Sequence, residues 1–399
     1  MRMKFFNAKN GDAIHLMTDG EKNIVLDMGY AETYSNYIKK HFMEISDNNQ
    51  KVDLLVISHI DQDHIGGAIS FLQDISKNEF DRKIVKEMWH NSYRHLNLAQ
   101  VKIIGTEDYR VLRTLRDNFE AANGKEFTSI GDKEISAKQG STLAGLIYKL
   151  GISWNEIFEG RPISVIRKAS LGGVNITILT PNLSIFEKLK RLWRNELLSR
   201  KFDFKFGEDE LFDDAYEFYL LNEAVIENDV TTNISSDAAD KFQDLLESGV
   251  NITADGDKSI TNASSISLII EEDGKRVLLT ADATDDDLFD ALKSLSNKGI
   301  SMEFDLIKLS HHGAVKNNIK WLSIVTAKYY VISTDSSNHN HPDIGSIVNI
   351  LINDKENHKT ICFNNYVEAI EKVRNPVLME IYNYSILLPN QDWGIEIEL

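Results

Sequence analysis

The sequence predicts an α/β protein whose strands end in clusters of polar side chains. Short apolar runs alternate with helix-like segments over residues 1–80 and again over 261–345, which is the pattern of strands joined by helices. Between these regions the periodicity is mostly helical, with one apolar run at 174–180. The 399 residues are 42% hydrophobic and 26% charged, so the chain can form one elaborated domain or two smaller ones.

The individual elements follow from apolar patterning and turn signals. Asn10-Gly11-Asp12 separates two short apolar runs and predicts a hairpin, and Glu272-Asp273-Gly274-Lys275 predicts a second one. The predicted strands cover 3–6, 13–17, 23–29, 52–57, 174–181, 264–271, 276–280, 304–309, 328–333, 360–363 and 384–388. The predicted helices cover 34–43, 65–75, 106–122, 141–150, 184–200, 285–295 and 343–351. Residues 203–257 are acidic and rich in turn residues, and predict a loose insert.

Composition restricts the compartment and the partners. The formal net charge is −17, whereas proteins that bind long nucleic acid through a broad electrostatic surface are normally basic. No stretch reaches the apolar length that a membrane span needs, and the N-terminus lacks the long apolar region of a signal peptide. The single cysteine, Cys362, suits a reducing compartment. We therefore expect a cytoplasmic protein without a membrane partner.

The segment Ser58 to Ala68 contains two imidazoles and two carboxylates within six positions, directly after an apolar strand. A lone aspartate in such a place is usually a turn residue or a helix N-cap, which could account for Asp63 but not for all four side chains. Clustered charges cost free energy unless an opposite charge lies among them. The cluster of His59, Asp61, Asp63 and His64 therefore predicts bound cations.

Further polar groups follow later strands, and each also has an ordinary explanation. Asp282 follows an apolar run and could be a helix N-cap, and His311-His312-Gly313 could be a surface turn. His339 and His341 could be solvated loop residues. Ligands collected from several strand ends are nevertheless how a layered α/β scaffold builds one rigid site from distant sequence. Their joint occurrence predicts a single site.

The order of these segments resembles the metallo-β-lactamase fold of metallohydrolases. More narrowly, it is similar to the hydrolase domain of ComEC, the bacterial DNA-uptake protein, and to its free-standing relatives. The motifs that carry the resemblance are Asn10-Gly11-Asp12-Ala13, Leu26-Asp27-Met28-Gly29, His59-x-Asp61-x-Asp63-His64-Ile65-Gly66-Gly67, Asn262-Ala263-Ser264, Leu279-Thr280-Ala281-Asp282-Ala283, Ser310-His311-His312-Gly313 and His339-x-His341-Pro342. They lie in residues 1–80 and 260–345, and the middle of the chain is poorly covered.

The resemblance implies a four-layer αββα sandwich with a largely helical insertion. We expect the core at 1–81 and 258–399 and the insertion at 82–257, which includes a core strand near 174–180. It also implies a two-metal site of Zn²⁺ or Mn²⁺, whose ions lie about 3.5–4 Å apart and share a bridging water. His59 and Asp61 would hold the first metal. Asp63 and His64, with His311 or His312, would hold the second, and Asp282 would bridge the two.

The remaining implied roles lie around the metals. Asp63 and His341 are the predicted catalytic residues, His341 as a phosphate ligand or proton donor at the lip of the site. Asp27 and Asp12 would support the ligands. Two departures from the broad fold family matter: Asp61 replaces a histidine, as in the ComEC-like branch, and Leu179-Thr180-Pro181-Asn182 stands where many members have another histidine.

Three functions remain open at this point. The first is a metal-dependent phosphodiesterase, most simply a nuclease, with substrate contacts from His339 and from Asn91, Arg94 and His95 in a stretch that could equally be ordinary surface. The second is a hydrolase of a small phosphodiester, such as a cyclic nucleotide or phosphorylcholine, or of a lactone or lactam. The third is a non-catalytic scaffold or regulatory partner in a multi-protein system, with a role in bacterial defence suggested by association only. Independently of function, the chain could form a homodimer.

Overall fold

The computed structural model describes residues 1–92, 95, 143–165, 167–189, 191, 238–248, 252, 254–338 and 340–399. Two β-sheets form its centre. The first has six strands in the order β14-β1-β2-β3-β4-β5. Its members are β1 Arg2–Phe6, β2 Ala13–Met17, β3 Asn23–Met28, β4 Leu54–Val56, β5 Met88–Trp89 and β14 Gly394–Glu398. Strands β3, β4 and β5 are parallel, whereas β14, β1, β2 and β3 are antiparallel neighbours.

The second sheet has eight strands in the order β13-β12-β11-β10-β9-β8-β7-β6. Its members are β6 Lys168–Leu171, β7 Val174–Thr180, β8 Ser267–Glu272, β9 Lys275–Leu279, β10 Glu303–Lys308, β11 Thr326–Ile332, β12 Lys359–Phe363 and β13 Tyr384–Leu387. Strands β9 to β13 run parallel to one another. Because parallel strands carry their polar ends to one edge, the residues that follow β9, β10 and β11 meet there.

The helices cover the outer faces of both sheets. The first, α1, begins as Ala31–Thr33, passes through a π-helical turn at Tyr34–Ile38 and continues as Lys39–Asp47. The others are α2 Gln62–Ser76, α3 Leu143–Leu150, α4 Ala238–Ser248, α5 Asp285–Ser296, α6 Ile344–Asn353, α7 Ala369–Val373 and α8 Pro376–Ile381. Residues 183–189 are also helical. No helix in these described parts is long and apolar enough to cross a membrane.

Three buried clusters show the layering. Apolar residues of both sheets, such as Phe5, Leu16, Val277 and Val331, pack together between the sheets. A second cluster joins the other face of the six-stranded sheet to α1, α2 and α3. A third joins the other face of the eight-stranded sheet to α4 to α8. The expected four-layer αββα fold is therefore confirmed.

Several features differ from the sequence-based prediction, and the strands β5 and β6 and the helices α7 and α8 were not expected. Residues 238–248, expected in a loose insert, form α4, because Phe242 and Leu246 lie on one helical face and are buried in the core. The unpredicted strand β14 brings the C-terminal segment back to pair with β1. The helix predicted at 106–122 lies outside the described residues. The division into core and insertion stays a prediction, since much of 82–257 is likewise outside them.

Candidate metal centre

Asp27, at the end of β3, organises the loop that follows β4. It is fully buried. Its Oδ1 accepts a 2.7 Å hydrogen bond from the Ser58 backbone N–H, and its Oδ2 accepts from the Ser58 hydroxyl at 2.6 Å. The same Oδ2 accepts from His64 Nδ1 at 2.8 Å. One carboxylate thus fixes both the loop backbone and an imidazole, as expected for a group that orients a metal ligand.

The hydrogen bonds assign the tautomers of three histidines. His64 donates from Nδ1 to Asp27, and His312 donates from Nδ1 to the Ser333 carbonyl at 2.9 Å. The Ser58 hydroxyl gives its proton to Asp27, so His59 Nδ1, 3.0 Å from that oxygen, is the donor to it. In the neutral form, each imidazole therefore presents the lone pair of Nε2.

These three Nε2 atoms are buried and have no hydrogen-bond partner in the described part of the chain, and Asp282 Oδ1 shares that condition. Asp282 Oδ2 lies 3.4 Å from His64 Nε2 and 3.3 Å from His312 Nε2. Asp63 Oδ2 lies 3.7 Å from His312 Nε2. Buried polar atoms normally have partners, so several orphaned imidazole nitrogens facing carboxylates fit a divalent cation well.

Ligand-capable atoms within 4.8 Å of one another form four groups among the described residues. The groups are His59-His64-Asp282, Asp63-His64-His312, Asp12-Asp282-His312 and Asp12-Asp27-His64. Asp282 and His64 each occur in more than one group. The first two groups agree with a pair of neighbouring cation sites. In the other two, Asp12 and Asp27 are already engaged by Lys308 and by Ser58 and His64.

The imidazoles and carboxylates of the cluster shift the pKa values of one another. Burial opposes a charge on His64, but Asp282, Asp27 and Asp63 raise its pKa well above the usual value. Burial also opposes a charge on His312, but the nearby carboxylates, above all that of Asp282, raise its pKa to about 9. Burial opposes ionisation of Asp63, yet His64 and His312 lower its pKa to about 2. A cation bound here would therefore compete with protons for the imidazole nitrogens.

Strained backbone lies beneath the site. Asp27, Ala281, His311 and His312 all have left-handed φ values, of 56°, 47°, 42° and 56°. A non-glycine residue in a sparsely populated region costs of order 1–3 kcal/mol and persists only where the surroundings impose it. The left-handed conformation of His311 is held by a 3.0 Å hydrogen bond from its backbone N–H to the Ala281 carbonyl. This bond joins the loop after β10 to the loop after β9, and so brings His312 to Asp282.

The other predicted ligands lie at the edge of this cluster. Asp61 is partly exposed, and its Oδ2 is 3.2 Å from His59 Nε2. His311 points elsewhere than His312: its Nδ1 lies 3.1 Å from Asn317 Oδ1 and 3.5 Å from Asp257 Oδ2. The His341 ring is 5.6 Å from the His311 ring. The geometry favours His312 over His311 as the ligand, and places His341 beside the pair.

The predicted substrate contacts are not all exposed. Asn91 uses its carboxamide to bond both backbone groups of Ile163, at 2.8 and 2.9 Å. His95 is buried beside Ser92 and Trp154. Trp89, which opens that stretch, is also buried and packs on Phe158. Arg94 and His339 lie outside the described residues. The stretch is therefore largely internal where it is described, and a substrate role for Asn91 and His95 stays a prediction.

Sequence reasoning missed Lys308, which lies at the end of β10 with no exposed surface. Its ammonium is hydrogen-bonded to Asp12 Oδ2 and lies 3.7 Å from Asp282 Oδ1. A signal for it was present, because one lysine interrupts the apolar run Leu306-Ile307-Lys308-Leu309. Asn10 also joins the site, since its amide donates to Asp63 Oδ2 at 3.2 Å.

Comparisons with known proteins agree with this architecture. The model of the metallo-beta-lactamase superfamily matches residues 13–140. The metallo-beta-lactamase fold protein YhfI from Bacillus subtilis has 9% identity and a TM-score of 0.38, with coverage of 100% of this chain and 99% of that one. Zn²⁺-bound PqqB from Methylobacterium extorquens has 10% identity, a TM-score of 0.37 and 100% coverage of both chains. No curated protein sequence matches.

A mutant of the β-hydroxylase CmlA has 9% identity and a TM-score of 0.38, with coverage of 100% of this chain but only 53% of that one. The superfamily match begins at the first residue of β2 and includes the ligand loop after β4. The two facing sheets, with helices on both outer surfaces, extend the agreement to the rest of the described chain. The superfamily match and this layered arrangement of sheets and helices show that the chain has the metallo-β-lactamase fold.

Proposed function

We propose that this protein is a metal-dependent phosphodiesterase, with a nuclease as the favoured form. The observation that carries the proposal is the buried set of three orphaned imidazole nitrogens that face the carboxylates of Asp63 and Asp282. The match to a superfamily that is generally hydrolytic supports a metal-dependent hydrolase. The ComEC-like His-x-Asp-x-Asp-His signature favours the phosphodiester as the bond that is cleaved.

The proposed ligand sets combine residues of two of the ligand-capable groups with Asp61, whose Oδ2 lies 3.2 Å from His59 Nε2 but which belongs to neither group. His59 and Asp61 would hold one cation, and Asp63, His64 and His312 the other, with Asp282 between them. When bound, such cations lower the pKa of a coordinated water and stabilise negative charge on a phosphoryl group. Asp27 keeps His64 in the tautomer that presents Nε2. Zn²⁺ and Mn²⁺ both suit this mixture of nitrogen and oxygen ligands.

His341 is suited to contact the phosphate. Burial lowers its pKa, although Asp343 opposes the effect. The ring is therefore neutral near pH 7, and a neutral imidazole offers one N–H donor and one acceptor. The His341 ring lies 5.6 Å from that of His311, and both His311 and His312 help to lower its pKa, so we infer that it lies at the margin of the metal centre. We propose that it donates a hydrogen bond to a phosphoryl oxygen or a proton to the leaving alkoxide.

A polar cavity of about 530 Å³ is linked to the candidate site through Asn364 in its wall, which bonds Ser333, the residue whose carbonyl accepts from His312. We infer that this cavity receives the rest of the substrate. Its wall includes Asp335, whose charge helps to raise the pKa of Tyr30 together with burial and Asp63. Half of its ten lining residues carry carboxamides, and Tyr366 adds an aromatic ring that is 71% exposed. Among the residues that the structure describes, no lysine, arginine or histidine lines it. A neutral group that forms hydrogen bonds and stacks, such as a nucleobase, suits it better than a phosphate.

The nuclease proposal is tested by cleavage of single- and double-stranded DNA and of RNA with Mn²⁺ or Zn²⁺. Cleavage is expected for the parent chain and not for the Asp63→Ala Asp282→Ala double variant. A matched control, Asp47→Ala Asp244→Ala, removes two exposed carboxylates and should keep the parent rate. Equal cleavage by the parent and the site variant would mean a contaminating nuclease, and would remove the nuclease claim.

A second candidate is a small phosphodiester substrate, which the net charge of −17 and the carboxylates of Asp335 and Asp392 in the cavity favour over a long polyanion. Salt separates the two candidates, since binding to a polynucleotide weakens steeply as salt rises. Rates on a DNA oligonucleotide and on a cyclic dinucleotide, measured between 50 and 300 mM NaCl (about the range over which the effect is large), should diverge. Measurable turnover of the cyclic dinucleotide alone would favour the small substrate.

A further inference from the structure

Lys308 is a buried ammonium inside a cluster of carboxylates. Its side chain has no exposed surface, and neither does that of Asp12. Its Nζ donates hydrogen bonds to Asp12 Oδ2 and, at 3.1 Å, to the Ala281 carbonyl. Burial of an ammonium is costly unless it is paired and hydrogen-bonded. Since the sequence otherwise makes β10 apolar near its end, the lysine calls for an explanation beyond packing.

The position of Lys308 divides the two oxygens of Asp282. Oδ1 lies 3.7 Å from the ammonium. Oδ2 lies 3.3 and 3.4 Å from the Nε2 atoms of His312 and His64. The ammonium also bonds the carbonyl of Ala281, the residue directly before Asp282. Ala281 has a left-handed φ of 47°, which turns the chain at this point. Lys308 thus contacts both the backbone and the carboxylate that together set the direction of Asp282 Oδ2.

The contact with Lys308 makes Asp12 a poorer metal ligand, although its Oδ1 has no hydrogen-bond partner among the described residues. Asp12 belongs by distance to a group with Asp282 and His312. Its Oδ2 is taken by the ammonium, and a protonated amine has no lone pair and repels a divalent cation beside it. In the Asp12-Asp282-His312 group, the ammonium of Lys308 therefore already supplies a positive charge.

We propose that Lys308 is a positioning residue of the metal centre: it neutralises Asp12 and holds Asp282 so that only Oδ2 faces the histidines. The proposal rests on the proposed metal-dependent function. It also fits the charges of the centre. Asp12, Asp27, Asp61, Asp63 and Asp282 carry five negative charges, Lys308 balances one, and two divalent cations balance the other four.

The ion pair is tested first, on the full-length metal-free protein, by thermal unfolding of Lys308→Met, Asp12→Asn and the double variant. Each single change leaves one buried charge unpaired and should lower the melting temperature by several degrees. The double change removes both charges and should recover most of that loss. Additive losses in the double variant would overturn the pairing of Lys308 with Asp12.

The positioning role is tested by metal affinity, which a purely structural ion pair would not alter in the recovered double variant. Zn²⁺ is titrated against a chromophoric chelator, and Lys308→Met Asp12→Asn should bind it about tenfold more weakly, or worse, because Asp282 loses the group that orients it. Lys359→Met is the matched control, since Lys359 is an equally buried lysine in β12 that bonds the Asp354 and Tyr382 carbonyls. It should keep the parent affinity.

The outcomes separate the two claims. Parent-like or tighter Zn²⁺ binding by the double variant would overturn the positioning role and leave the metal-dependent function standing. If neither Zn²⁺ nor Mn²⁺ binds the parent chain, the metal-dependent function and the positioning role both fail, while the unfolding cycle still decides whether Lys308 and Asp12 form a stabilising pair.

Discussion

Asp27 connects the strand scaffold to the candidate metal ligands. It accepts hydrogen bonds from the Ser58 backbone, the Ser58 hydroxyl and His64 Nδ1, all without contact with solvent. Its left-handed φ of 56° lets the chain turn at the end of β3 while the carboxylate points back to the ligand loop. Aspartate and asparagine accept this backbone conformation more readily than most residues.

Asp27→Asn should therefore weaken metal binding while it leaves the backbone turn in place. The amide cannot accept from His64 and the Ser58 groups in the same way, so the imidazole loses its fixed tautomer and orientation. We expect Zn²⁺ affinity to fall by about 10–100-fold, measured by competition with a chromophoric chelator. Asp53→Asn is the control: this buried carboxylate bonds the Asn23 N–H and Lys86, away from the ligands. An equal loss of affinity in both variants would contradict the role of Asp27.

Single residues could be predicted where their chemistry was clustered in sequence. His59, Asp63 and His64 lie within one loop, and Asp27 ends a strand, so their types and spacing were visible signals. The choice of His312 over His311 was not visible, because it depends on consecutive left-handed residues that only the folded loop defines. Lys308 was missed because its partner Asp12 is far away in sequence, and a lone lysine near a strand end is usually exposed.

At the level of elements, the approach of α2 to β3 explains the paired glycines after His64. The Gly67 N–H donates to the Gly29 carbonyl at 2.7 Å, which draws the helix against the strand end. A Cβ on Gly67 would lie 2.0 Å from the Met28 carbonyl oxygen, a distance that no side chain can occupy. A Cβ on Gly66 would meet its nearest atom, the Ala31 nitrogen, at 3.2 Å.

Gly67→Ala should destabilise the protein by about 1–3 kcal/mol or more, because the helix must move away from the strand. Gly66→Ala is a matched control in the same helix. The close contact of the new Cβ with the Ala31 nitrogen costs little, and the better helix propensity of alanine, worth roughly 0.5–1 kcal/mol, offsets part of it. We therefore expect a smaller loss of stability for Gly66→Ala than for Gly67→Ala. The measurement is urea unfolding monitored by circular dichroism. Similar losses for the two variants would show that helix–strand contact does not require the second glycine.

The elements were predictable where each carried its own periodic signal. The strands β1 to β4 and β8 to β11 and the helices α2 and α5 were all expected close to their observed bounds. The sequence could not predict that β14 pairs with β1, because that contact joins the two ends of the chain and neither strand encodes its partner. Helix α4 was hidden by its acidic surroundings, although Phe242 and Leu246 are spaced for one helical face.

At the scale of the whole molecule, variants in the wall of the polar cavity test whether the substrate binds there. Tyr366→Ala removes the exposed ring from its wall, and Tyr366→Phe keeps a stacking face. If a nucleobase stacks there, Tyr366→Ala should raise KM about tenfold for thymidine 5′-(p-nitrophenyl phosphate) and not for methyl p-nitrophenyl phosphate, which has no base. Tyr366→Phe should match the parent, as should Val377→Ala, an exposed apolar control. Equal effects on both esters would contradict base recognition in this cavity.

Stability against pH depends on a second pair of histidines, which lies outside the candidate metal centre and consists of the buried His15 and the partly buried His41. His15 Nε2 is 2.9 Å from Asn23 Oδ1, and His41 Nε2 is 2.9 Å from His15 Nδ1. If His15 donates to Asn23, its Nδ1 accepts the proton of His41 Nε2. A second proton on His15 would occupy that Nδ1 and break the bond, whereas His41 would take its second proton at Nδ1, outside the bond. Burial lowers the pKa of His15 to about 4 and that of His41 to about 2.

Because both pKa values are lower in the folded state than the unfolded value of about 6.5, the pair stabilises the protein fully above that pH. The contribution is lost as the pH falls from about 6.5 towards 4 for His15 and towards 2 for His41. His312 has the opposite sign in the metal-free protein, because its raised pKa gives stability that is lost as the pH rises through about 9. A comparison between variants at each pH therefore isolates the His15–His41 pair.

We expect the difference in unfolding free energy between the parent and His15→Gln His41→Gln to shrink by roughly 2 kcal/mol for each histidine between about pH 7.5 and 5. Urea unfolding at several pH values measures it, and the exposed His358→Gln provides a control that should follow the parent. A difference that stays constant with pH would show that these rings accept protons as easily in the folded state as in the unfolded chain. The acid sensitivity of the fold would then have to arise elsewhere, from carboxylates such as Asp63 and Asp257, whose lowered pKa values also stabilise the protein only above their titration range.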